Sequence, residues 1–319
     1  MDQPRANEIR HILRGQDFDL ELIEKLFKRI DTLDEIIRDP IKLAELQNSG
    51  RGRQVFTVFY EPSTRTRMSF EAAANNLGFA VVGTENAREF SSAAKGETIE
   101  DTIRVMSGYY PAAIVMRHHE DGAATRAAAA SNVPIINAGD GRGQHPTQAL
   151  LDLYTLHREL GRTKDLTVLV GGDLANGRTA RSLVYLLSKF NNIEFIFVAP
   201  ESLKMSDDIK LHLDERGIKY TETEDLENLL PEADVVYWTR VQKERLATGV
   251  NYEQVKKQYE LSKNHLALMK KDAIIMHPLP RINEIQIEVD EDPRAAYFRQ
   301  AAYGLPVRMA LYEWVTHLL

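Results

Sequence analysis

The stretch VFYEPSTRTRMSFE, residues 58–71, joins a predicted strand to a predicted helix. The apolar run 55–60 predicts a buried strand, and residues 68–77 predict a helix that ends before Gly78. Residues 63–66 therefore lie on the turn that opens the helix, where backbone N–H groups and the positive end of the helix dipole meet. Three hydroxyl groups and the guanidinium of Arg65 add further donors. The turn is thus predicted to bind a phosphate or a carboxylate, and the structural alternative is a helix N-cap with solvated arginines.

The same alternation of short β-branched runs with helical periodicity continues along the chain and predicts an α/β fold. Strands are predicted at 55–60, 80–83, 112–116, 134–137, 167–170, 194–198, 219–221, 235–238 and 273–276. Such a pattern is typical of two domains, each a mostly parallel β-sheet flanked by helices.

A long helix predicted from Pro146 to Gly161 marks the boundary between the two domains, because proline favours the first helical position and glycine follows the last. The first domain is expected to span residues 1–147 and the second residues 148–304. A final helix at about 305–319 has enough apolar surface to pack back on the first domain.

Composition limits the class of protein. The chain has 319 residues, a formal net charge of −7 and no cysteine. An acidic protein of this kind is not expected to bind nucleic acid, and without cysteine it has neither disulfides nor thiolate nucleophiles. No apolar stretch has the length of a membrane span, so the sequence predicts a cytoplasmic enzyme that does not bind a membrane.

Polar side chains follow three further predicted strands, where open α/β sheets bind ligands. Arg117 follows the strand in IVMRHH, and the Gly-rich loop NAGDGRGQHPTQ delivers His145 and Gln148 to the start of the long helix. In IIMHPLPR a strand runs into two prolines, which fix main-chain carbonyl groups that can accept from a ligand amine. The Leu279–Pro280 bond is a candidate cis peptide.

Seven motifs together resemble the aspartate/ornithine carbamoyltransferase family, and within it the branch that uses L-aspartate. They are STRTR at 63–67, KGET at 95–98, VMRH at 115–118, HPTQALLDL at 145–153, GDLANGRT at 172–179, TRVQKER at 239–245 and HPLPR at 277–281. The resemblance implies that the first domain binds carbamoyl phosphate and the second binds L-aspartate. The products would be N-carbamoyl-L-aspartate and phosphate, in pyrimidine biosynthesis.

The resemblance also implies a role for each matching residue. The phosphate would contact Ser63, Thr64, Arg65, Thr66 and Arg117. Thr66, Arg117 and His145 would polarise the carbamoyl carbonyl, while Gln148 and the HPLP segment (Pro278, Leu279 and Pro280) hold the carbamoyl nitrogen. The aspartate carboxylates would contact Arg178, Arg240 and Gln242. Because the substrate amine is itself the nucleophile, no enzyme nucleophile, cofactor or metal is expected.

The resemblance further implies a homotrimer whose active sites are shared between chains. Ser91 and Lys95 match residues that the family donates to the neighbouring chain's site. A separate regulatory chain is a possible partner, although the sequence carries no feature that identifies one. A flexible lysine on a polar loop is otherwise a solvated charge.

Four alternatives compete with this interpretation. GDLANGRT nearly matches a P-loop, but arginine stands where that motif needs lysine, and no strand ends in the Asp that holds magnesium. An ornithine enzyme would share STRTR, yet that branch typically has HCLP where this chain has HPLP. A catalytically inactive scaffold would not need every site position filled. The run His118–Asp121 is expected to be a surface segment rather than a metal site.

Overall fold

The computed structural model describes residues 9–241 and 259–319. The chain divides into two compact units. Unit 1 comprises Met1–Leu150 and Tyr303–Leu319, and unit 2 comprises Leu151–Ala302. Each unit contains one parallel sheet, so the predicted fold class is confirmed.

Unit 1 is built around a four-stranded sheet with the order β2-β1-β3-β4. The elements are α1 (Leu20–Ile37), α2 (Pro40–Leu46), β1 (Gln54–Phe59), α3 (Thr64–Asn76), β2 (Ala80–Glu85), α4 (Ala87–Phe90), α5 (Ile99–Ser107), β3 (Ala113–His118), α6 (Ala123–Ala130) and β4 (Ile135–Asp140). Strands β3 and β4 are buried along their whole length, as expected of a parallel sheet covered on both faces, whereas the edge strand β2 is partly exposed.

Unit 2 is built around a five-stranded sheet with the order β7-β6-β5-β8-β9. Its elements are β5 (Leu166–Gly171), α8 (Arg178–Leu187), β6 (Ile193–Val198), α9 (Asp207–Glu215), β7 (Tyr220–Thr223), β8 (Val235–Trp238), α10 (Lys263–Leu266) and β9 (Ile274–Met276). Trp238 and Tyr237 of β8 are fully buried and contribute the largest apolar surfaces of this core.

Two longer helices contribute residues to both units. Helix α7 (Pro146–Leu160) begins at the predicted proline, and α11 (Tyr297–Val315) is the last helix of the chain. In unit 1, Arg29 of α1 donates to the buried carboxylate of Glu313 at 2.6 and 2.7 Å. This bidentate pair, together with buried Tyr312, fixes the end of α11 in unit 1.

Three predicted boundaries are wrong. The last helix was expected at about 305–319, but it begins at Tyr297 and ends at Val315, with Pro306 inside it. Proline favours a first turn, yet the buried side chains on both sides of Pro306 keep the helix continuous. Helix α3 begins at Thr64 rather than at 68, and β4 extends to Asp140, so that NAGD belongs to the strand and not to the loop.

All nine predicted strands are present with small differences at their ends. Within the described ranges, none of the helices is both long and apolar enough to span a lipid bilayer.

Candidate active site

In unit 1 the predicted anion-binding residues follow three neighbouring strands. Strand β1 leads into residues 63–66, β3 contains Arg117, and β4 leads into the loop that carries His145. Phe59 is the register partner of Arg117, and His118 is the partner of Asp140. Because parallel strands end at the same edge of a sheet, the structure brings these segments to one edge of unit 1.

The turn at 63–66 forms the first turn of α3. Ser63 is extended, and its hydroxyl donates to Oγ1 of Thr66 at 2.9 Å instead of capping the helix. Among the described residues, Arg65 makes no hydrogen bond or ion pair, and its side chain keeps a large exposed fraction. Partial burial of its guanidinium lowers the pKa of Arg65. The helix N-terminus therefore presents backbone N–H groups, hydroxyls and a positive charge, which is the donor set that a phosphate needs.

Arg117 is almost fully buried beside this turn. Its Nη2 lies 2.5 Å from Oε1 of Glu61, and its Nη1 donates to the carbonyl of Ala138 at 3.3 Å. Glu61 is separated from the STRTR motif by a single proline. Its role was not predicted from the sequence. It places a carboxylate next to the predicted phosphate contacts.

The loop after β4 is fixed by Asp140. This carboxylate accepts from the backbone N–H groups of Gly122 and Gln144 and from the side-chain amide of Asn137, at 3.0 to 3.1 Å. His145 and Gln148 follow, and both are buried. Nδ1 of His145 lies 3.4 Å from the hydroxyl of Thr147. Asp140 is a second residue that sequence reasoning missed, because an acid in a Gly-rich loop has no distinctive spacing.

Ser91 and Lys95 lie between β2 and α5 in two short helical turns, α4 and the 3-10 turn Ser92–Lys95, where a long loop was expected. Ser91 accepts from the N–H of Ala93 at 3.2 Å and donates to the carbonyl of Ala87. Lys95 is exposed, and its ammonium group contacts no carboxylate within the described parts of the chain.

The expectation that His118–Asp121 is a surface run is wrong for His118. Its side chain is buried, lies 4.6 Å from the ring of Tyr60, and stacks on His119. Burial and then the neighbouring His119 lower the pKa of His118 to about 4. Nδ1 of His118 accepts from the backbone N–H of Glu120 at 3.0 Å. Across residues 9–241 and 259–319, no three His, Asp or Glu side chains are grouped to hold a metal ion.

In unit 2 the predicted substrate-binding residues also follow three neighbouring strands: the predicted aspartate ligands follow β5 and β8, and the predicted carbamoyl ligands follow β9. The end of β5 leads into GDLANGRT, β8 leads into Thr239 and Arg240, and β9 leads into HPLPR. Gly171 pairs with Trp238, and a Cβ atom on Gly172 would lie 2.1 Å from the carbonyl oxygen of Thr239. Only glycine therefore permits the two strand ends to approach this closely.

Arg178 is the first residue of α8, and Arg240 lies two residues beyond β8; both are half-buried. Oδ1 of Asp173 accepts from the backbone and side-chain N–H groups of Asn176 at 3.0 and 3.1 Å, which shapes the loop before α8. Gln242 lies outside the described residues.

The HPLP turn contains the expected cis peptide between Leu279 and Pro280. Leu279 has φ 53, and its backbone N–H donates to Nδ1 of His277 at 2.7 Å. Nε2 of His277 lies 2.9 Å from the carboxylate of Glu284. From the sequence alone, this motif stands out only for its prolines. His277 and Glu284 are seven residues apart in a loop, and that separation does not indicate that they interact.

Comparison with known proteins identifies relatives over nearly the whole chain. The family model described as "Aspartate/ornithine carbamoyltransferase, carbamoyl-P binding domain" matches residues 10–158, and the "Asp/Orn binding domain" of the same family matches residues 164–315. "Aspartate carbamoyltransferase, chloroplastic" of Arabidopsis thaliana is 52% identical over 307 residues, which cover 96% of this chain and 77% of the relative.

Solved structures agree with this. The catalytic subunit of Methanocaldococcus jannaschii aspartate transcarbamoylase has a TM-score of 0.86 at 46% identity, covering 96% of this chain and 97% of the other. Aspartate transcarbamoylase of Trypanosoma cruzi in complex with carbamoyl phosphate and aspartate has a TM-score of 0.87 at 36% identity, covering 98% and 99%.

Proposed function

The chain belongs to the aspartate/ornithine carbamoyltransferase family, and we propose that it transfers the carbamoyl group of carbamoyl phosphate to the α-amine of L-aspartate. The products are N-carbamoyl-L-aspartate and phosphate. One observation carries the proposal: in each unit, three neighbouring strands lead into the motifs assigned to the substrates of a direct carbamoyl transfer. The relatives named for aspartate, at up to 52% identity, support the choice of acceptor.

Unit 1 binds carbamoyl phosphate in this proposal. The phosphate accepts from the N-terminus of α3, from the hydroxyls of Ser63, Thr64 and Thr66, and from the guanidinium groups of Arg65 and Arg117. The α3 N-terminus is suited to a dianion because its backbone dipoles are already oriented and need no reorganisation.

The carbamoyl group is activated by donors to its carbonyl oxygen. Thr66, Arg117 and His145 stabilise the negative charge that develops on this oxygen when the amine attacks. The resemblance to the family assigns Gln148 and the carbonyl groups of Pro278 and Leu279 to the carbamoyl –NH₂. Pro280 fixes the geometry of that turn.

Unit 2 binds L-aspartate through the guanidinium groups of Arg178 and Arg240, with Gln242 as a further ligand. Two arginines match the two carboxylates of the substrate, since guanidinium groups bind carboxylates in a bidentate geometry. The α-amine is thereby oriented for attack.

The reaction balances without an enzyme nucleophile. A bond forms between the amine nitrogen and the carbamoyl carbon, the bond from that carbon to the phosphate oxygen breaks, and the amine proton passes to the departing phosphate. Orientation of the two substrates is then the main catalytic contribution, and neither a cofactor nor a metal takes part.

The proposal extends to assembly and location. The chain forms a cyclic trimer in which Ser91 and Lys95 of one subunit complete the site of its neighbour, because exposed Lys95 is then placed to contact a bound anion. A separate regulatory chain is a possible partner. The protein acts in pyrimidine biosynthesis in the cytoplasm, although the plant relatives are named chloroplastic.

A carbamoylation assay tests the function directly. Purified protein receives carbamoyl phosphate with L-aspartate, L-ornithine or other amines, and both phosphate and the carbamoylated product are measured. We expect product with L-aspartate alone. Turnover only with L-ornithine would contradict the choice of acceptor, and phosphate release without any carbamoylated amine would contradict the transferase activity.

A further inference from the structure

A continuous chain of buried hydrogen bonds lies beneath the HPLP turn in unit 2. Its five members are almost fully buried, with exposed fractions from 0% to 7%: Tyr237, Asp152, Gln300, His277 and Glu284. Burying a polar group costs free energy unless it is hydrogen-bonded. The fold therefore depends on every link of this chain being made. The chemistry described above uses none of the five side chains.

The imidazole of His277 is held in one tautomer. A backbone N–H is always a donor, so Nδ1, which receives the N–H of Leu279 at 2.7 Å, carries no proton. Nε2 therefore carries the proton and donates it to Oε1 of Glu284 at 2.9 Å. Burial is the largest single influence and would raise the pKa of the Glu284 carboxyl, but the interactions with His277 and the backbone N–H donors together outweigh it and hold that pKa below its usual range.

Glu284 is itself fixed on its other side. Its Oε2 accepts from the backbone N–H groups of Ile282 and Asn283, both at 3.1 Å. The carboxylate thus has donors on both oxygens, and it has no proton to give to the ring. This arrangement prevents the alternative tautomer of His277, which would direct an N–H at the N–H of Leu279.

The bond from Leu279 to His277 also fixes a carbonyl group. The Pro278–Leu279 peptide is trans and planar, so its C=O points opposite to its N–H. Holding the N–H on Nδ1 of His277 directs the carbonyl of Pro278 away from the ring. Leu279 has φ 53, a left-handed conformation that is unfavourable for a leucine and that this hydrogen bond helps to retain.

The backbone of His277 is fixed from the other end of the chain. Its N–H donates to Oε1 of Gln300 at 2.8 Å, and Nε2 of Gln300 donates to Asp152 at 2.7 Å. The second oxygen of Asp152 accepts from the hydroxyl of Tyr237 at 2.8 Å. The position of His277 is therefore set by β8, α7 and α11 together.

We propose that His277, in the tautomer held by Glu284, is a positioning residue that aims the carbonyl of Pro278 at the –NH₂ of the carbamoyl group. The proposal rests on the proposed function, in which this carbonyl is a ligand of the carbamoyl nitrogen. It assigns to the buried chain a role in distinguishing a carbamoyl group from groups of similar shape that lack N–H donors.

Acetyl phosphate provides the probe, because it replaces the –NH₂ of carbamoyl phosphate with a methyl group and keeps the phosphate and the carbonyl. In the unmodified protein, the ratio of the dissociation constants of acetyl phosphate and carbamoyl phosphate measures how far binding depends on the N–H donors of the ligand. Inorganic phosphate serves as a third ligand that reports the anion contacts alone.

Two substitutions separate the two hydrogen bonds of the ring. His277→Asn keeps an oxygen near the position of Nδ1, which can accept from Leu279, and loses the donor to Glu284. His277→Gln keeps a donor near Nε2 and loses the acceptor for Leu279. Each variant loses one buried hydrogen bond. If His277 only stabilised the fold, the two substitutions would therefore change ligand binding to the same extent. Arg299→Gln, beside Gln300 in α11 but in a half-exposed ion pair with Glu159, is the control.

We expect His277→Gln to weaken carbamoyl phosphate binding by about tenfold while the affinities for acetyl phosphate and phosphate stay within about twofold. We expect His277→Asn and Arg299→Gln to keep the discrimination between carbamoyl phosphate and acetyl phosphate. The proposal is overturned if His277→Gln retains it, or if the affinities for all three ligands fall in parallel.

Thermal unfolding establishes whether each variant is folded before binding is measured. If His277→Gln does not fold, Glu284→Gln is used to test the proposal instead, because loss of the carboxylate removes the constraint on the tautomer of His277. We expect it to reduce the discrimination at least threefold, and full retention would overturn the proposal. An unmodified protein that discriminates between the ligands but does not carbamoylate aspartate would refute the proposed function and leave the role of His277 standing.

Discussion

Nη2 of Arg117 lies 2.5 Å from Oε1 of Glu61, so the buried arginine nearest the anion-binding turn is already paired with a carboxylate. In the proposed function, an incoming phosphate would compete with Glu61 for this guanidinium. The negative charge of Glu61 also opposes the charge of the ligand, and about a third of its side chain remains exposed, which allows it to move.

Replacing Glu61 with Gln is therefore expected to strengthen the binding of inorganic phosphate. Loss of the competing charge contributes roughly 1 kcal/mol, or about fivefold in Kd, at low ionic strength. Isothermal titration calorimetry measures this, and the gain is expected to shrink at high salt. Glu120→Gln, which removes an equal charge from an exposed ion pair, is the control. Weaker phosphate binding in Glu61→Gln would mean that Glu61 supports the site rather than competing with the ligand.

Arg65→Ala is expected to lower turnover by about two orders of magnitude or more, because a charge-assisted contact to the leaving phosphate is lost. The side chain of Arg65 makes no hydrogen bond or ion pair with the described residues, so the free energy of unfolding is expected to change by less than about 0.5 kcal/mol. Steady-state kinetics and chemical denaturation measure the two effects. Unchanged turnover at saturating substrate would show that Arg65 is a solvated charge.

Arg240→Ala and Gln242→Ala are expected to weaken the use of L-aspartate and to leave carbamoyl phosphate binding intact. A buried charged contact to a carboxylate contributes on the order of 2 to 5 kcal/mol, seen as a higher KM for aspartate. Binding of carbamoyl phosphate is measured separately in the absence of aspartate. An equal loss for both substrates would contradict the assignment of one substrate to each unit.

The positions of the strands and the motifs were predictable because both rest on local patterns. Buried parallel strands have continuous apolar runs, and residues 55–60 or 235–238 are recognisable without any partner. The resemblance to the family then supplied residues that no periodicity reveals, among them Arg240 and Lys95.

What the sequence did not reveal depends on contacts between distant residues. His118 follows an arginine and lies two residues before the acidic pair Glu120 and Asp121, yet it is buried, because Tyr60, directly after β1, covers its ring. Glu61, Asp140 and the buried chain at His277 likewise acquire their roles from partners elsewhere in the fold. Pro306 inside α11 shows the same limit, since packing maintained a helix that proline alone predicts to begin there.

The stability of unit 1 is expected to fall between pH 7 and pH 5 because of His118. Burial holds its pKa at about 4 in the folded protein, against 6.5 when exposed, so the unfolded chain binds the proton first as the pH falls. This contribution is fully present above pH 6.5 and is lost progressively down to about pH 4. The loss between pH 7 and pH 5 amounts to about 2 kcal/mol.

His118→Asn tests this expectation, because asparagine can still accept from the N–H of Glu120 but does not titrate. The free energy of unfolding of the variant, measured by denaturant titration at both pH values, should depend less on pH than that of the unmodified protein. Identical pH dependences in the two proteins would mean that His118 becomes protonated without cost.

Mixing two inactive proteins tests whether sites are shared between subunits. Arg65→Ala and Lys95→Ala chains are combined in equal amounts, dissociated and reassembled. In a cyclic trimer about three quarters of the assemblies are mixed, and about a third of the sites in each are intact, so roughly a quarter of the original activity should return. Reassembly of each variant alone is the control. No recovery from trimers shown to be mixed would place Lys95 in the site of its own chain, or in none.

The contact between Gly172 and Thr239 determines which positions of unit 2 can be substituted in protein engineering. A Cβ atom on Gly171 would lie 2.0 Å from the ring of Trp238, and one on Gly172 would lie 2.1 Å from a main-chain oxygen. A side chain at either position would require the Trp238 ring or the main chain at Thr239 to move, so we expect substitutions at these strand ends to destabilise unit 2. Changes aimed at the acceptor amine are better made in the loop beyond them, where Ala175 is exposed and a new side chain can be introduced without moving the sheet.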